Sequence, residues 1–161
     1  MPKIVSDTTP VISLLKIHRL ELLYQLYSKI FIPPAVFNEV EAGKTKKFYR
    51  DLSKIHWIEI YKIKDKQAGN SLKELDDGEA EAIIAAKELN ADLILLDEKL
   101  GRFHAKRSGL NVSGTIGVLM KAKKAGLIKA LKPLLLDLID EDVWISNKLM
   151  TQILSKVGEE I

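Results

Sequence analysis

The chain contains 161 residues, 47% of them hydrophobic and 29% charged, a composition that is typical of a globular domain and excludes disordered and collagen-like chains. It has no cysteine, which excludes disulfides, thiolate zinc sites and a cysteine nucleophile and favours the cytoplasm as a reducing compartment. The net charge of +3 permits a polyanionic partner, and because no apolar run reaches the ~18 residues that span a bilayer, we expect no membrane partner.

The first half of the chain is predicted to alternate short strands with helices. A β-branched run predicts a strand over residues 3–6, and Pro10 suits the first turn of the helix that follows. Leucines at helical spacing then predict two short helices or one bent helix up to Leu26. The half is completed by a strand over 30–32, a helix from Pro34 to Val40, a second helix over 46–55 and a strand over 57–63.

The second half continues this alternation after a polar loop at 64–70. Asp76 is predicted to cap a helix that ends near Leu89. The later elements are predicted to be a strand over 93–96, a basic helix over 99–108, a strand or turn over 111–113, a helix over 115–125 and a mostly helical remainder to 157. Since parallel strands need helical crossovers, the order predicts a three-layer α/β/α fold with a mostly parallel central sheet. We expect one domain over residues 1–161, in which residues from about 131 form a helical extension.

Four acidic residues are predicted to meet at one edge of this sheet. Asp7 and Asp97 follow predicted strands, at the carboxyl ends where parallel sheets bind ligands. Glu39 and Glu79 lie in helices that start from the same edge. Four neighbouring carboxylates are stable in ionised form only around a cation, and hard oxygen ligands favour Mg²⁺ or Mn²⁺. Such an ion orients water towards a phosphodiester, so the implied reaction is phosphodiester hydrolysis.

Ordinary structural roles compete with this interpretation. Asp7 and Asp97 would also serve as N-caps of the helices that follow them, and Glu79 would form a capping box with Asp76. Glu39 alone is typical of a solvated helix residue. The acidic set is therefore open to two interpretations, a functional one and a structural one.

Basic and aromatic residues are also open to two interpretations. Lys99, Arg102 and Lys106 are spaced at i, i+3 and i+7 on one face of the basic helix, where they either hold RNA phosphates or form a solvated face. Trp57 and Trp144 lie among apolar neighbours and are predicted to be core or interface residues.

Four segments together resemble the PIN-domain family in order, spacing and context: IVSDTTP at 4–10, IPPAVFNEV at 32–40, LDDGEAEAI at 75–83 and ILLDE at 94–98. The resemblance covers about residues 3–125 and implies a metal-dependent ribonuclease. It implies that Mg²⁺ or Mn²⁺, as one ion or two, is held by Asp7, Glu39, Glu79 and Asp97, with Glu98 as a fifth member and with Thr8 or Thr9 supporting the first carboxylate. Family members often carry Asp at the position of Glu79, which leaves Glu81 as a rival third acid.

Residues 113–117, SGTIG, are similar to a segment of a VapC-like subgroup of toxin ribonucleases. This resemblance implies an endoribonuclease that is the toxin component of a type II toxin-antitoxin system, with RNA as substrate, a small antitoxin protein as partner, and a homodimeric state. The alternative is a catalytically inactive PIN-like module that binds RNA or a protein. Metal-dependent cleavage of RNA distinguishes the two.

Overall fold

A central sheet organises the molecule. The computed structural model describes residues 2–160, with the exception of the side chains at 67, 69 and 70. Within these residues five parallel strands form one sheet in the order β3-β2-β1-β4-β5. The strands are β1 (Ile4–Ser6), β2 (Ile30–Ile32), β3 (Ile58–Ile60), β4 (Leu93–Leu95) and β5 (Val112–Ser113). The prediction of a mostly parallel sheet is confirmed.

Eight α-helices connect and follow these strands within residues 2–160. They are α1 (Thr8–Lys16), α2 (Glu21–Tyr27), α3 (Pro34–Ala42), α4 (Asp77–Glu88), α5 (Lys99–Arg107), α6 (Thr115–Lys124), α7 (Lys132–Asp140) and α8 (Asn147–Lys156). Two 3-10 segments occupy Leu52–Lys54 and Lys66–Leu72. In the part of the chain that the structure describes, none of the helices has the length and apolar character needed to cross a membrane.

Neighbouring residues of the strands belong to two separate hydrophobic cores. Ile4 and Val5 lie in different cores, and so do Ile94 and Leu95, because successive side chains of a strand point to opposite faces of the sheet. One core contains buried residues of α1, α2, α6, α7 and α8, and the other contains buried residues of α4 and α5. Burial on both faces of the sheet confirms the predicted three-layer α/β/α class.

The strand order places a crevice between β1 and β4. The chain adds β2 and then β3 on one side of β1, and afterwards adds β4 and β5 on the other side. In open parallel sheets, ligands bind outside the carboxyl ends of the strands at such a reversal of direction. Asp7 and Asp97 follow the two strands that border this crevice. The fold therefore puts two of the predicted acids at its natural ligand-binding position.

Three predictions for residues 46–70 differ from the structure. The predicted helix over 46–55 is wrong, since the chain forms turns and the short 3-10 segment Leu52–Lys54 there. The Asp51 carboxylate accepts hydrogen bonds from the Ser53 backbone N–H at 3.0 Å and the Ser53 hydroxyl at 2.6 Å, and such local bonds compete with helix formation. The predicted loop at 64–70 includes much of the second 3-10 segment, and the predicted strand over 57–63 is confined to β3.

The two tryptophans have opposite environments. Trp57 is 6% exposed and lies in the first core, as predicted. Trp144 is 84% exposed in the connection between α7 and α8, so of the two predicted positions the core is wrong for this residue and the interface stays a prediction. Its immediate neighbours Val143 and Ile145 are the ones that pack inward.

The C-terminal helices complete one of the two cores, to which they contribute Leu134, Leu135, Leu138, Ile153 and Leu154. Glu159 anchors this extension. Its carboxylate accepts hydrogen bonds from the backbone N–H groups of Leu131 at 2.6 Å and Lys132 at 3.1 Å, and from Lys123 Nζ at 2.9 Å. Glu159 therefore caps the start of α7 from a distant position in the chain.

We expect Glu159→Ala to reduce the free energy of unfolding by about 1–2 kcal/mol, since loss of a helix-capping side chain has a cost of this order. At this chain length the melting temperature should fall by about 2–8 °C. Thermal unfolding monitored by circular dichroism measures the change. Glu160→Ala is the matched control because the Glu160 side chain is exposed, and equal melting temperatures for the two variants would contradict the capping role.

Candidate functional site

Asp7 occupies the centre of the sheet's carboxyl edge. Its backbone N–H donates a hydrogen bond to the Leu95 carbonyl of β4 at 2.9 Å, which fixes the residue between the two central strands. The side chain is 3% exposed, and its Oδ1 atom has no hydrogen-bond partner. Asp7 holds the N-cap position of α1 but makes no side-chain capping bond. The alternative interpretation, in which the Asp7 side chain caps α1, is therefore wrong.

Burial and neighbouring carboxylates raise the pKa of Asp7. Desolvation is the largest cause, and the negative charges of Asp76, Glu79 and Glu39 add to it, so that the pKa rises to about 7 despite an opposing backbone hydrogen bond from Thr8. A carboxylate that is buried among other carboxylates is poorly stabilised without a compensating positive charge. Asp7 therefore has the electrostatic surroundings of a cation ligand.

Glu39 extends from α3 towards Asp7. Its Oε2 atom accepts a hydrogen bond from the Thr8 hydroxyl at 2.5 Å. This hydroxyl therefore supports Glu39, whereas the family resemblance implied that Thr8 or Thr9 supports Asp7. Thr8 reaches Asp7 through its backbone instead. Gly78 makes room for the glutamate, because a Cβ atom at that position would stand 2.6 Å from Glu39 Oε1. Glu39 is half-buried, unlike the solvated helix residue of the alternative interpretation.

Glu79 combines a structural role with an unsatisfied oxygen. The capping box at the start of α4 is present, since the Glu79 N–H donates to Asp76 Oδ1 at 2.8 Å and the Asp76 N–H donates to Glu79 Oε1 at 3.3 Å. The other oxygen, Oε2, is buried without a hydrogen-bond partner. Burial raises the pKa of Glu79 to about 7, and Asp76 and Glu98 contribute to the increase. The capping and functional interpretations of Glu79 are thus compatible.

Glu81, the rival third acid, is engaged elsewhere. Its Oε1 atom accepts a hydrogen bond from the backbone N–H of Ala35 at 3.1 Å, at the start of α3. A carboxylate at a helix N-terminus is stabilised by the free N–H groups there. The charge of Glu79 contributes to the raised pKa of Asp7, whereas Glu81 is not among the main causes. These contacts favour Glu79 as the third member of the acidic set.

Asp97 is held by the start of α6. Its Oδ1 atom accepts the Thr115 backbone N–H at 2.7 Å, and its Oδ2 atom accepts the Thr115 hydroxyl at 2.6 Å. The alternative interpretation, in which Asp97 caps the following helix, is not observed, because α5 has Glu98 at its N-cap and Asp97 instead binds Thr115, the first residue of α6. Each carboxylate oxygen has a second lone pair, so Asp97 keeps the capacity to bind a cation. Glu98 is exposed, and its charge acts on Glu79.

Two glycines that the sequence analysis missed border the acids. A Cβ atom at Gly101 would stand 2.7 Å from the unpartnered Glu79 Oε2, and a Cβ atom at Gly114 would overlap Asp97 Oδ1. Gly101 lies inside α5, where glycine is unfavourable by about 1 kcal/mol relative to alanine. The sequence signal that could have identified Gly101 is its position inside a predicted helix, where a glycine often marks a close packing contact.

The predicted RNA-binding residues do not form one free basic face. Lys99 and Lys106 are exposed, but Arg102 is half-buried and donates a hydrogen bond from Nη1 to the Leu96 carbonyl at 3.1 Å. Arg102 therefore forms part of the wall beside Asp97, close to Gly114. Contact of these three residues with RNA stays a prediction.

The acidic side chains are chemically suited to a hard divalent cation, although they do not form a closed coordination site. Among residues 2–160, no three His, Asp or Glu side chains lie close enough to hold a metal ion, so the predicted convergence of four carboxylates is incomplete. Asp7 Oδ1 and Glu79 Oε2 are nevertheless buried and unpartnered, and all the candidate donors are carboxylate oxygens, which Mg²⁺ and Mn²⁺ prefer.

The parallel sheet and the acidic edge define an α/β domain with a candidate cation site. A family model described as PIN domain matches residues 3–159, and the chain therefore belongs to the PIN-domain family. PIN domains are generally nucleases and typically use divalent metal ions. The match includes α7 and α8, beyond residue 125 where the expected resemblance ends. A comparison with curated proteins finds no match.

Proposed function

We propose that this protein is a metal-dependent endoribonuclease that hydrolyses RNA phosphodiester bonds at the edge formed by Asp7, Glu39, Glu79 and Asp97. The observation that supports it most is the pair of buried, unpartnered oxygens, Asp7 Oδ1 and Glu79 Oε2, in a group of carboxylates. Burying such groups without a partner is unfavourable. A cation bound at this edge of the sheet would supply the missing partner for both oxygens.

Asp7 and Glu79 would hold Mg²⁺ or Mn²⁺, and Glu39, Asp97 and Glu98 would complete its surroundings. When bound, such an ion supplies charge neutralisation at the phosphoryl oxygens and an oriented water. The protein's own contribution is to fix the carboxylates. Hydrogen bonds from the Thr8 hydroxyl, the Asp76 N–H and Thr115 hold Glu39, Glu79 and Asp97. Each acid thereby keeps a defined orientation before substrate arrives.

We further propose that Lys99, Arg102 and Lys106 contact RNA phosphates, and that the protein acts in the cytoplasm. The similarity of residues 113–117 to VapC-like proteins supports a role as the toxin of a type II toxin-antitoxin system. In that role a small antitoxin protein would bind the chain, and the chain would form a homodimer. Co-purification of a small protein with the chain expressed in its natural host tests the antitoxin, and measurement of the mass in solution tests the homodimer.

Cleavage of a labelled panel of RNAs tests the proposed activity. The full chain is incubated with Mn²⁺, with Mg²⁺ and with EDTA, alongside Asp7→Asn and Asp97→Asn variants purified in the same way. Cleavage that requires the metal and is lost in both variants would support the proposal. Equal cleavage by wild type and variants would reveal a contaminating nuclease, and RNA binding by the folded chain without cleavage would favour the inactive module.

A prediction for Gly101 follows from its contact with Glu79. Gly101→Ala should lower both the cleavage rate and the affinity for Mn²⁺ by about 10- to 100-fold, a range typical of residues that position metal ligands. The melting temperature should change little, because crowding of Glu79 opposes the higher helix propensity of alanine. Gly43→Ala is the matched control, since a Cβ atom there would make only ordinary contacts, the nearest at 3.5 Å. Unchanged Mn²⁺ affinity in Gly101→Ala would contradict the positioning role.

A further inference from the structure

A groove runs from the acidic edge to the C-terminal helices. It has a volume of about 860 Å³, within the range of ~300–1,000 Å³ that is typical of small-molecule clefts. Its lining combines charged side chains, among them Lys16, Asp97, Glu98, Arg102 and Asp142, with apolar ones, among them Val143, Trp144 and Leu149. The groove thus places an exposed indole together with charged groups of the candidate site. This combination suits a nucleotide, which has a charged sugar-phosphate side and a flat apolar base.

Trp144 lies in the connection between α7 and α8, which has a well-defined backbone. The Val143 N–H donates to the Leu138 carbonyl at 2.9 Å, and Asp142 has a φ of 66°, so the chain turns sharply at the end of α7. On the other side, the Ser146 side chain caps α8 by accepting the Leu149 N–H at 3.0 Å. The connection is therefore fixed at both ends.

Contacts from the rest of the molecule hold this connection in place. Lys16 Nζ of α1 donates a hydrogen bond to the Glu141 carbonyl at 3.3 Å. Ile145 is 8% exposed and belongs to the core, whereas the neighbouring Trp144 is 84% exposed. The backbone that carries the indole is thus anchored, so little backbone freedom is lost when a ring stacks on Trp144.

We propose that Trp144 is a stacking platform for an unpaired base of the RNA substrate, in the groove that Asp97 also lines. The proposal rests on the ribonuclease function proposed above and adds a residue that positions the substrate. Base stacking on aromatic side chains is the usual way in which unpaired RNA is held, and a base inside a duplex does not expose its face. Arg102 and Thr9 line the same groove and offer donors to the sugar and phosphate.

Tryptophan fluorescence tests the proposal without turnover. The full chain is titrated in EDTA with an unstructured single-stranded RNA, the matched duplex, and the single strand with abasic positions. Trp57 is 6% exposed, so quenching by RNA should report mainly on Trp144. The single strand should quench the emission, and the duplex and the abasic strand should do so weakly.

Substitutions then separate stacking from general binding. Trp144→Ala should raise the Kd for single-stranded RNA by about 5- to 150-fold, the equivalent of one stacked base, and Trp144→Phe should restore most of the affinity. Leu136→Ala is the control, because Leu136 is 46% exposed on α7 and does not line the groove. In cleavage assays with Mn²⁺, Trp144→Ala should raise KM more than it lowers kcat.

The outcomes distinguish failure of this proposal from failure of the proposed function. If wild type cleaves RNA and Trp144→Ala has the same Kd and KM, the stacking role is overturned while the ribonuclease stands. If RNA binding depends on Trp144 but wild type does not cleave, the stacking role is supported and the ribonuclease is overturned. Emission that changes with protein concentration and not with RNA would overturn the stacking role and identify a contact between copies of the chain.

Discussion

Asp7→Asn is expected to abolish metal-dependent RNA cleavage while the protein stays folded. Asparagine has the same shape but loses the negative charge, and removal of one electrostatic contributor to catalysis typically lowers kcat by about 10²- to 10³-fold. The fold should persist, because the Asp7 side chain makes no capping bond to α1. In metal-free buffer at pH 8 the variant should even melt at a higher temperature than wild type, since a buried charge beside other carboxylates has been removed.

Two measurements on the same preparation check this expectation. Cleavage of single-stranded RNA with Mn²⁺ reports activity, and thermal unfolding in EDTA reports stability. Asp137→Asn is the matched control, because Asp137 is exposed on α7, and it should behave as wild type in both assays. An Asp7→Asn protein that is unfolded would show that Asp7 is needed for structure, and one that cleaves at the wild-type rate would remove Asp7 from the active site.

The sheet and most helices were predictable because their signals are local. Short β-branched and apolar runs marked β1, β2 and β4, and Asp76 marked the start of α4 together with its capping box. Since parallel strands end at a common edge, the positions of Asp7 and Asp97 followed from the strand order. The helix predicted over 46–55 failed for an equally local reason, the hydrogen bonds of Asp51 to Ser53.

The partners of the acids could not be predicted, because they come from distant parts of the chain. Asp97 is bound by Thr115, which is 18 residues away, and Glu39 is bound by Thr8, which is 31 residues away. Neither pairing leaves a periodic signal in the sequence. Gly101 was recognisable as an unusual helix residue, but its contact with Glu79 depends on how α5 packs beside α4.

The exposed position of Trp144 was also not predictable from the sequence. Apolar neighbours predicted a buried or interface position, and those neighbours are indeed packed inward. The sharp turn at Asp142 directs the indole to solvent instead. A left-handed backbone conformation at a single aspartate is compatible with many sequences, so the environment of Trp144 required the structure.

In metal-free buffer, the buried carboxylates are expected to make the folded state less stable as the pH rises from about 4 to about 7. The pKa of Asp7 is raised from 3.8 to about 7, mainly by burial. Between these values the unfolded chain has lost the proton and the folded chain keeps it, so folding binds a proton and its stability falls with increasing pH. At 1.36 kcal/mol per pH unit the loss for Asp7 amounts to about 4 kcal/mol. Glu79, whose pKa is also raised to about 7, acts in the same direction.

Other carboxyl groups act in the opposite direction. The difference in the free energy of unfolding between Asp7→Asn and wild type is therefore more informative than either value alone. Hydrogen bonds lower the pKa values of Glu88 and Glu159, and their contribution to stability appears as the pH rises through their unfolded values. The free energy of unfolding of Asp7→Asn minus that of wild type cancels these terms. It should be smaller at pH 5 than at pH 8 in EDTA, and denaturant unfolding at both pH values measures it. A difference that is equal at both values would show that Asp7 has an ordinary pKa.

Metal binding should reverse this trend, because a divalent cation binds the ionised carboxylates and not the protonated ones. Addition of Mn²⁺ is therefore expected to stabilise wild type more at pH 8 than at pH 5, and to stabilise Asp7→Asn less than wild type at pH 8. Asp7 and Glu79 would then account for both observations. Their negative charge destabilises the folded state in EDTA and stabilises it when Mn²⁺ is bound. Stabilisation of wild type and Asp7→Asn by equal amounts would place the metal away from Asp7.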